Sequence, residues 1–175
     1  MFRFIIVLTL VCVGAALVLG VTHAVTEPQI AAQKAKETKE ALNSALPLAD
    51  SFKEEKLDEK VYHKGYKKGT LVGYVFFAKG EGYAGPIDLI VGVSKRGKIT
   101  GLVVLEQQET PGLGARCTQV KHGDSGPWFL RQFKGKDAKN LKLADVEALT
   151  GATITTEAII KAVRVEVSEF LDRIK

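Results

Sequence analysis

The chain has 175 residues, of which 46% are hydrophobic and 26% are charged, and its formal net charge is +5. This is enough for one domain of ordinary size. Basic and acidic residues are interleaved, and no basic stripe carries aromatic residues, so no nucleic-acid partner is expected. Cys12 and Cys117 form no CxxC motif and the three histidines are scattered, so no metal site is predicted.

Residues 4–25, FIIVLTLVCVGAALVLGVTHAV, form an apolar run that contains a single basic side chain, His23, and no acidic one. At a rise of about 1.5 Å per residue, a helix of this length crosses a hydrocarbon core of about 30 Å. A cleaved secretory signal is the alternative, because THA resembles a cleavage site. The run exceeds the usual signal core of about 7 to 15 residues, which favours a transmembrane anchor over residues 1–25. The flanking charges do not decide its orientation.

Residues 26–49 predict a stalk helix that leaves the membrane and docks on the domain. Thr26 can cap its start, Pro28 suits its first turn and Pro47 ends it. The following residues, 50–68, are polar and rich in lysine. They predict a short strand or a loop at the start of the domain.

Three strands are predicted next, from TLVGYVFFAKGEGY and GPIDLIVGVSKRGKITGLVVLEQQ. Apolar residues alternate at Val72, Tyr74, Phe76, Ile87, Leu89, Val91 and Val93. Lys95–Lys98 is a hairpin turn signal in which Gly97 takes the positive φ. Pro111, Gly112 and Gly114 then set a tight loop in ETPGLGAR.

The last helix is predicted over residues 154–174, after an irregular stretch with a short helix that Gly135 closes. Its buried face has three- and four-residue spacing and comprises Ile160, Val163, Val167, Phe170, Leu171 and Ile174. A meander of strands followed by helices predicts an α+β domain with an antiparallel sheet over residues 50–175.

Four threonines lie at the start of this helix: Thr150, Thr153, Thr155 and Thr156. Free N–H groups and the helix dipole make this end a potential anion site, and phosphates bind at such places. Gly151 permits a tight turn and a close ligand. The alternative is that one threonine caps the helix and the others are surface residues. The residues alone leave both interpretations open.

Three motifs in this order, YAGPIDLIVGV, ETPGLGAR and TGATITT, resemble the FMN-binding domain of two electron-transport proteins. These are the G subunit of the Rnf complex and the C subunit of the sodium-pumping NADH:quinone reductase. The order of anchor, stalk and domain is also similar, and the resemblance covers essentially the whole chain. It implies covalent FMN, joined through its phosphate to Thr153 by a separate flavin transferase that uses FAD and magnesium.

The resemblance also implies the other residues of the FMN site. Those around the phosphate would be Thr150, Gly151, Ala152, Ile154, Thr155 and Thr156, with Thr155 or Thr156 also capping the helix. Those beside the flavin ring would be Glu109, Thr110, Leu113 and Gly114. The family often has Asp three residues before the first residue of the Ser/Thr-Gly-Ala-Thr motif, and this chain has Glu147 at that position. The nearby Asp145 could serve in place of that Asp.

The length of the chain is closer to the Rnf protein, because the quinone-reductase protein is usually longer. The resemblance then implies a one-electron relay in a membrane oxidoreductase that couples ferredoxin and NAD to sodium or proton transport. Other flavin and iron-sulphur subunits would be its partners, and the domain would lie outside the cytoplasm. No residue is expected to perform acid-base or nucleophilic catalysis. The alternatives are the quinone-reductase protein and a membrane-anchored partner-binding module without flavin.

For four side chains near these motifs, the sequence either predicts an ordinary structural role or leaves two roles open. Glu109 is either a solvated loop carboxylate or an acceptor for a flavin or backbone N–H. Tyr83 and Trp128 are interpreted as core residues, with stacking on the flavin ring as the alternative. Cys117 is expected to be an ordinary buried or half-buried thiol.

Overall fold

A computed structural model describes residues 2–57, 60–124 and 126–174 of the chain. It divides into two units, residues 1–39 and residues 40–175. The elements are, in chain order, α1 (Phe2–Ala45), β1 (Ser51–Leu57), β2 (Lys60–Lys67), β3 (Thr70–Glu81), β4 (Pro86–Ser94), β5 (Ile99–Gln107), α2 (Trp128–Arg131) and α3 (Thr153–Ile174). Two short 3-10 helices, Gly114–Thr118 and Leu143–Asp145, precede α2 and α3 respectively.

The first unit consists of α1 up to residue 39. Among the described residues, α1 is the one helix that is long and apolar enough to cross a membrane, and its apolar window is fully exposed. An apolar surface of this kind is stable in a lipid phase and not in water. The chain therefore has the segment expected of a single-pass membrane anchor.

The predicted helix start at Thr26 is wrong, because α1 runs through this position without a break. The Thr26 hydroxyl donates to the Thr22 carbonyl at 2.8 Å and so does not cap a helix start. Pro28 lies inside the helix, where its missing N–H costs one backbone hydrogen bond. The predicted end is confirmed: α1 stops at Ala45, shortly before Pro47.

The second unit is built on a five-stranded antiparallel meander in the order β1-β2-β3-β4-β5. This confirms the predicted fold class and the three strands from β3 to β5. The polar stretch before them forms two strands, β1 and β2, and not one strand or a loop. Charge suits β1 because it lies at the sheet edge, where charged side chains discourage pairing with other chains. Lys64 and Glu55 form an ion pair of 2.6 Å across these strands.

Helix α3 covers one face of the sheet and forms the main core with it. Phe170 lies over Phe76, with ring centroids 4.4 Å apart, and also contacts Tyr62. The predicted apolar face of α3 is confirmed. Its residues up to Phe170 are buried in this core, and Leu171 packs against them in a partly buried position. The side chain of Ile174 lies outside the described part of the chain.

The last turn of α1 and Leu46 pack on the opposite face of the sheet, within the second unit. Four glycines in β2 to β5 make room for them: Gly65, Gly73, Gly92 and Gly101. A Cβ on Gly101 would lie 2.6 Å from the Ser44 carbonyl oxygen, and one on Gly92 would collide with that of Ala45. The Thr100 hydroxyl donates to the Ala45 carbonyl at 2.7 Å and so satisfies an end group of the helix.

Candidate functional site

A cleft of about 500 Å³ opens beside the start of α3. The β3–β4 loop, the loop after β5 and the first turn of α3 form its walls. It is lined by Tyr83, Glu109, Thr110, Leu113, Gly114, Gly151, Ala152, Thr153, Ile154 and Thr155. The residues assigned to a cofactor from the sequence therefore come together here, except Thr150 and Thr156. Tyr83 also lines the cleft, although the sequence predicts it to be a core residue.

Gly151 shapes the turn that leads into α3. Its φ is +76°, which an L side chain rarely adopts, and a Cβ here would lie 3.1 Å from Leu113 Cδ2. The turn is closed by a hydrogen bond of 2.8 Å from the Ala152 N–H to the Leu149 carbonyl. This geometry places Thr153 as the first residue of the helix, at the cleft.

The Thr153 side chain is exposed, and its hydroxyl has no hydrogen-bond partner among the described residues. Helix N–H groups in the first turn lack intrahelical acceptors, and the dipole adds positive potential there. An exposed hydroxyl thus lies at the end of α3 that attracts an anion. This is the chemistry that a phosphate ester at Thr153 would require.

Thr155 and Thr156 have different environments from Thr153, since both are buried. The Thr155 hydroxyl donates to Glu109 Oε2. The Thr156 hydroxyl accepts from the Leu149 N–H at 3.1 Å and donates to the Ala152 carbonyl at 3.2 Å. The predicted capping role is wrong for both, because they lie inside the helix and not at its N-cap. Thr156 instead fastens the preceding turn to α3.

Glu109 is buried, with 5% of its surface exposed, which excludes the interpretation as a solvated loop carboxylate. Its Oε1 accepts from the Ala84 N–H at 2.9 Å, and its own N–H donates to Gln107 Oε1 at 2.7 Å. Burial raises the pKa of the nearby Cys117 thiol to about 11, and the negative charge of Glu109 adds to this effect. Cys117 is thus the buried thiol that was expected.

The rim of the cleft is apolar and exposed. Tyr83, Leu113 and Ile154 have exposed fractions of 74%, 45% and 52%. The core interpretation of Tyr83 is therefore wrong, and its position between Gly82 and Gly85, in a loop, was the sequence signal for its exposure. Trp128 packs partly buried against the core and does not line the cleft. Lys121 Nζ lies 4.2 Å from the centre of the Trp128 ring, a cation–π contact.

The two carboxylates before the turn lie outside the cleft lining. Glu147 is exposed, and its backbone N–H donates to Gln132 Oε1 at 2.8 Å. Asp145 accepts a hydrogen bond of 2.7 Å from the Lys142 N–H and so closes a local turn. Both side chains are exposed on the segment that leads to Gly151.

The fold resembles two solved structures. The crystal structure of NqrC from Shewanella oneidensis matches with a TM-score of 0.51 and 25% identity, over 70% of this chain and 67% of that one. The C subunit of the Na⁺-translocating NADH-quinone reductase from Parabacteroides distasonis matches with a TM-score of 0.52 and 23% identity, over 64% and 61%. The second likeness shows the shared fold alone.

Sequence comparisons identify the family. Residues 82–167 match the model of the FMN-binding domain, and residues 1–44 match that of the RnfG N-terminal region. The G subunit of the proton-translocating ferredoxin:NAD⁺ oxidoreductase complex of Clostridium ljungdahlii is 30% identical over 93% of this chain and 87% of its own. The G subunit of an ion-translocating oxidoreductase complex of Methanosarcina acetivorans is 32% identical over 91% and 89%. The chain therefore belongs to the family of G subunits of ion-translocating oxidoreductase complexes, the Rnf G family, and its folded unit contains an FMN-binding domain.

Proposed function

We propose that this chain is the electron-relay component of a Rnf-type ferredoxin:NAD oxidoreductase that transports sodium or protons. FMN is held covalently, as a phosphoester on Thr153. The observation that carries this proposal is the exposed Thr153 hydroxyl, which opens on a cleft of about 500 Å³ and has no partner among the described residues. The names of the relatives support membership in such a complex.

The residues present fit FMN in size and in the distribution of polar and apolar groups. The volume of the cleft is in the range of about 300 to 1,000 Å³ that small-molecule sites occupy. The start of α3 suits a phosphate, and Gly151 lets it approach the backbone closely. The rim formed by Tyr83, Leu113 and Ile154 suits an aromatic ring system.

Attachment needs a flavin transferase with FAD as donor and magnesium. The Thr153 oxygen forms a bond to the phosphorus on the riboflavin side of FAD. The pyrophosphate bond of FAD breaks, AMP leaves, and the hydroxyl proton is released. Exposure of Thr153 on the first turn gives a transferase access to this oxygen. Thr150, which is exposed beside it, and Glu147 are available as recognition residues for that enzyme.

Bound FMN supplies one-electron redox chemistry, and the protein supplies attachment, orientation and shielding. Leu113 and Tyr83 would cover one side of a bound flavin ring, and its other side would stay open to a redox partner. Thr110 and Ala152 complete the lining. The chain takes part in an oxidoreductase in this way without an acid-base group of its own.

The proposal includes the arrangement of anchor, stalk and domain that the sequence predicts. Residues 1–25 anchor the chain in the cytoplasmic membrane, and residues 26–49 serve as the stalk. Residues 50–175 form the FMN-binding domain on the extracytoplasmic side. The other flavin and iron-sulphur proteins of the complex are its partners.

The test is in-gel fluorescence of the full chain, coexpressed with the transferase and run under denaturing conditions. We expect a fluorescent band in the wild type, none in Thr153→Val, and full fluorescence in Thr70→Val. Thr70 is an exposed threonine at the start of β3 that does not line the cleft. Fluorescence that survives Thr153→Val would refute the attachment site. A dark wild type would favour a partner-binding module without flavin.

A pulldown of the anchored chain tests the assignment to a complex. An iron-sulphur-rich protein with many CxxC motifs is expected among the copurifying components. Recovery of quinone-reductase components in its place would assign the chain to the other complex.

A further inference from the structure

The Glu109 carboxylate connects three segments that form the walls of the cleft. Its Oε1 accepts from Ala84 N–H in the β3–β4 loop at 2.9 Å, and its Oε2 accepts from the Thr155 hydroxyl in α3. Glu109 itself belongs to the loop after β5, where its N–H donates to Gln107. One buried side chain thus contacts two residues that are 25 and 46 positions away from it in the sequence.

Two glycines leave space for this carboxylate. A Cβ on Gly82 would lie 2.5 Å from Glu109 Oε1. A Cβ on Gly114 would collide with Glu109 Oε2 and would lie 2.5 Å from Thr155 Oγ1. Real Cβ atoms do not make such contacts, so the backbone of both loops is built around the carboxylate. This observation is independent of the hydrogen bonds.

Glu109 also gives the cleft its charge. Of the described residues that line the cleft, Glu109 is the one with a carboxylate or a basic side chain, and its negative charge also acts on Cys117. Its burial, with 5% exposed, weakens screening by solvent. A negative charge in such a place disfavours the addition of an electron to a nearby group.

We propose that Glu109 is a buried clamp that holds the three walls of the cleft in register, and that its charge lowers the reduction potential of the bound flavin. The charge effect rests on the function proposed above, whereas the clamp is a property of the chain without flavin. Glu109 is thus a positioning residue that acts through Ala84 and Thr155 as well as through its charge.

Three variants separate geometry from charge. Glu109→Gln keeps a carbonyl oxygen for the Ala84 N–H, and its amide NH2 can donate to the Thr155 oxygen where the carboxylate accepted from the Thr155 hydroxyl. Both contacts are kept in reach, one of them with its direction reversed, and the charge is removed. Glu109→Ala removes both contacts. Glu106→Gln is the matched control, because Glu106 is an exposed carboxylate on β5.

Hydrogen exchange of the full chain without flavin tests the clamp. We expect the Ala84 amide to exchange at least about tenfold faster in Glu109→Ala, and close to the wild-type rate in Glu109→Gln and Glu106→Gln. If Glu109→Ala does not fold, Thr155→Val removes one contact with little change of shape. It is then expected to speed exchange in the loop after β5 by about threefold or more. Unchanged exchange in the variant that folds overturns the clamp.

Redox titration of the flavin-loaded chain tests the charge. Glu109→Gln is expected to shift the reduction potential in the positive direction, while Glu106→Gln leaves it near the wild-type value. If Glu109 had only a structural role, Glu109→Gln would keep the wild-type reduction potential as long as its Ala84 amide exchanges at the normal rate. An unchanged or more negative potential in Glu109→Gln overturns the charge effect. A wild-type chain without flavin overturns it together with the proposed function, whereas the exchange result still decides the clamp.

Discussion

Thr153 and Thr156 lie three residues apart in the same motif, and replacing each with valine should have opposite consequences. Valine has nearly the shape of threonine, so neither change opens a cavity. The Thr156 hydroxyl accepts from the buried Leu149 N–H at 3.1 Å, and Thr156→Val leaves that donor without its partner. The exposed Thr153 hydroxyl has no described partner to lose. Thr153→Val should remove the flavin and keep the fold, whereas Thr156→Val should weaken the fold.

The size of the effect follows from the lost hydrogen bond. An unsatisfied buried N–H costs about 1–3 kcal/mol, and the lost bond to Ala152 acts in the same direction. For a domain of this size, 1 kcal/mol corresponds to about 4 °C in melting temperature, so Thr156→Val should lower it by roughly 4–12 °C. Thr153→Val should stay within about 0.5 kcal/mol of the wild type, as surface substitutions do.

The assay is thermal unfolding of the full chain in detergent, without flavin, followed by tryptophan fluorescence. Trp128 is the single tryptophan and packs against the main core, so its signal reports on the domain. Thr156→Ser keeps the hydroxyl and serves as the control for the hydrogen bond. Equal melting temperatures for the two valine variants, or a larger loss in Thr153→Val, would refute the distinction drawn between the two hydroxyls.

Three further changes test other parts of the domain. Gly151→Ala should destabilise by about 1–2 kcal/mol in a urea titration, because φ is +76° and the Cβ meets Leu113, whereas a neutral result would contradict the turn geometry. Gly92→Ala should cost about 1–3 kcal/mol by the same measurement, since its Cβ collides with the Ala45 carbonyl, and no loss would contradict the packing of α1 there. The raised pKa of Cys117, about 11 against an ordinary 9.0, predicts stability that is complete below pH 9 and falls as the pH rises toward 11, because the unfolded thiol loses its proton first. Denaturant titrations at pH 8 and pH 11 should show a smaller difference in Cys117→Ala than in the wild type.

The local pattern of the sequence predicted most of the fold. Alternation of apolar residues identified β3 to β5, and the spacing on α3 identified its buried face, because both signals depend only on local periodicity. The strands β1 and β2 were predicted less well, since their polar residues hide that alternation. Their pairing is stabilised across strands, as by the bond from the Tyr62 hydroxyl to Glu55 at 2.9 Å.

Local patterns in the sequence are enough to predict an apolar N-terminal helix and an α+β domain with a glycine and threonine motif before its last helix. The role of each hydroxyl and carboxylate at the cleft depends on contacts in the folded chain. Glu109 was equally compatible with solvent and with a buried hydrogen bond, because its acceptor role depends on Ala84, which is distant in sequence. The same holds for the threonines. The buried hydroxyls of Thr155 and Thr156 form hydrogen bonds to Glu109 and to the turn before α3 respectively, whereas the hydroxyl of Thr153 is exposed at the cleft. Periodicity is local, whereas burial and hydrogen bonding at this site are set by contacts between distant segments.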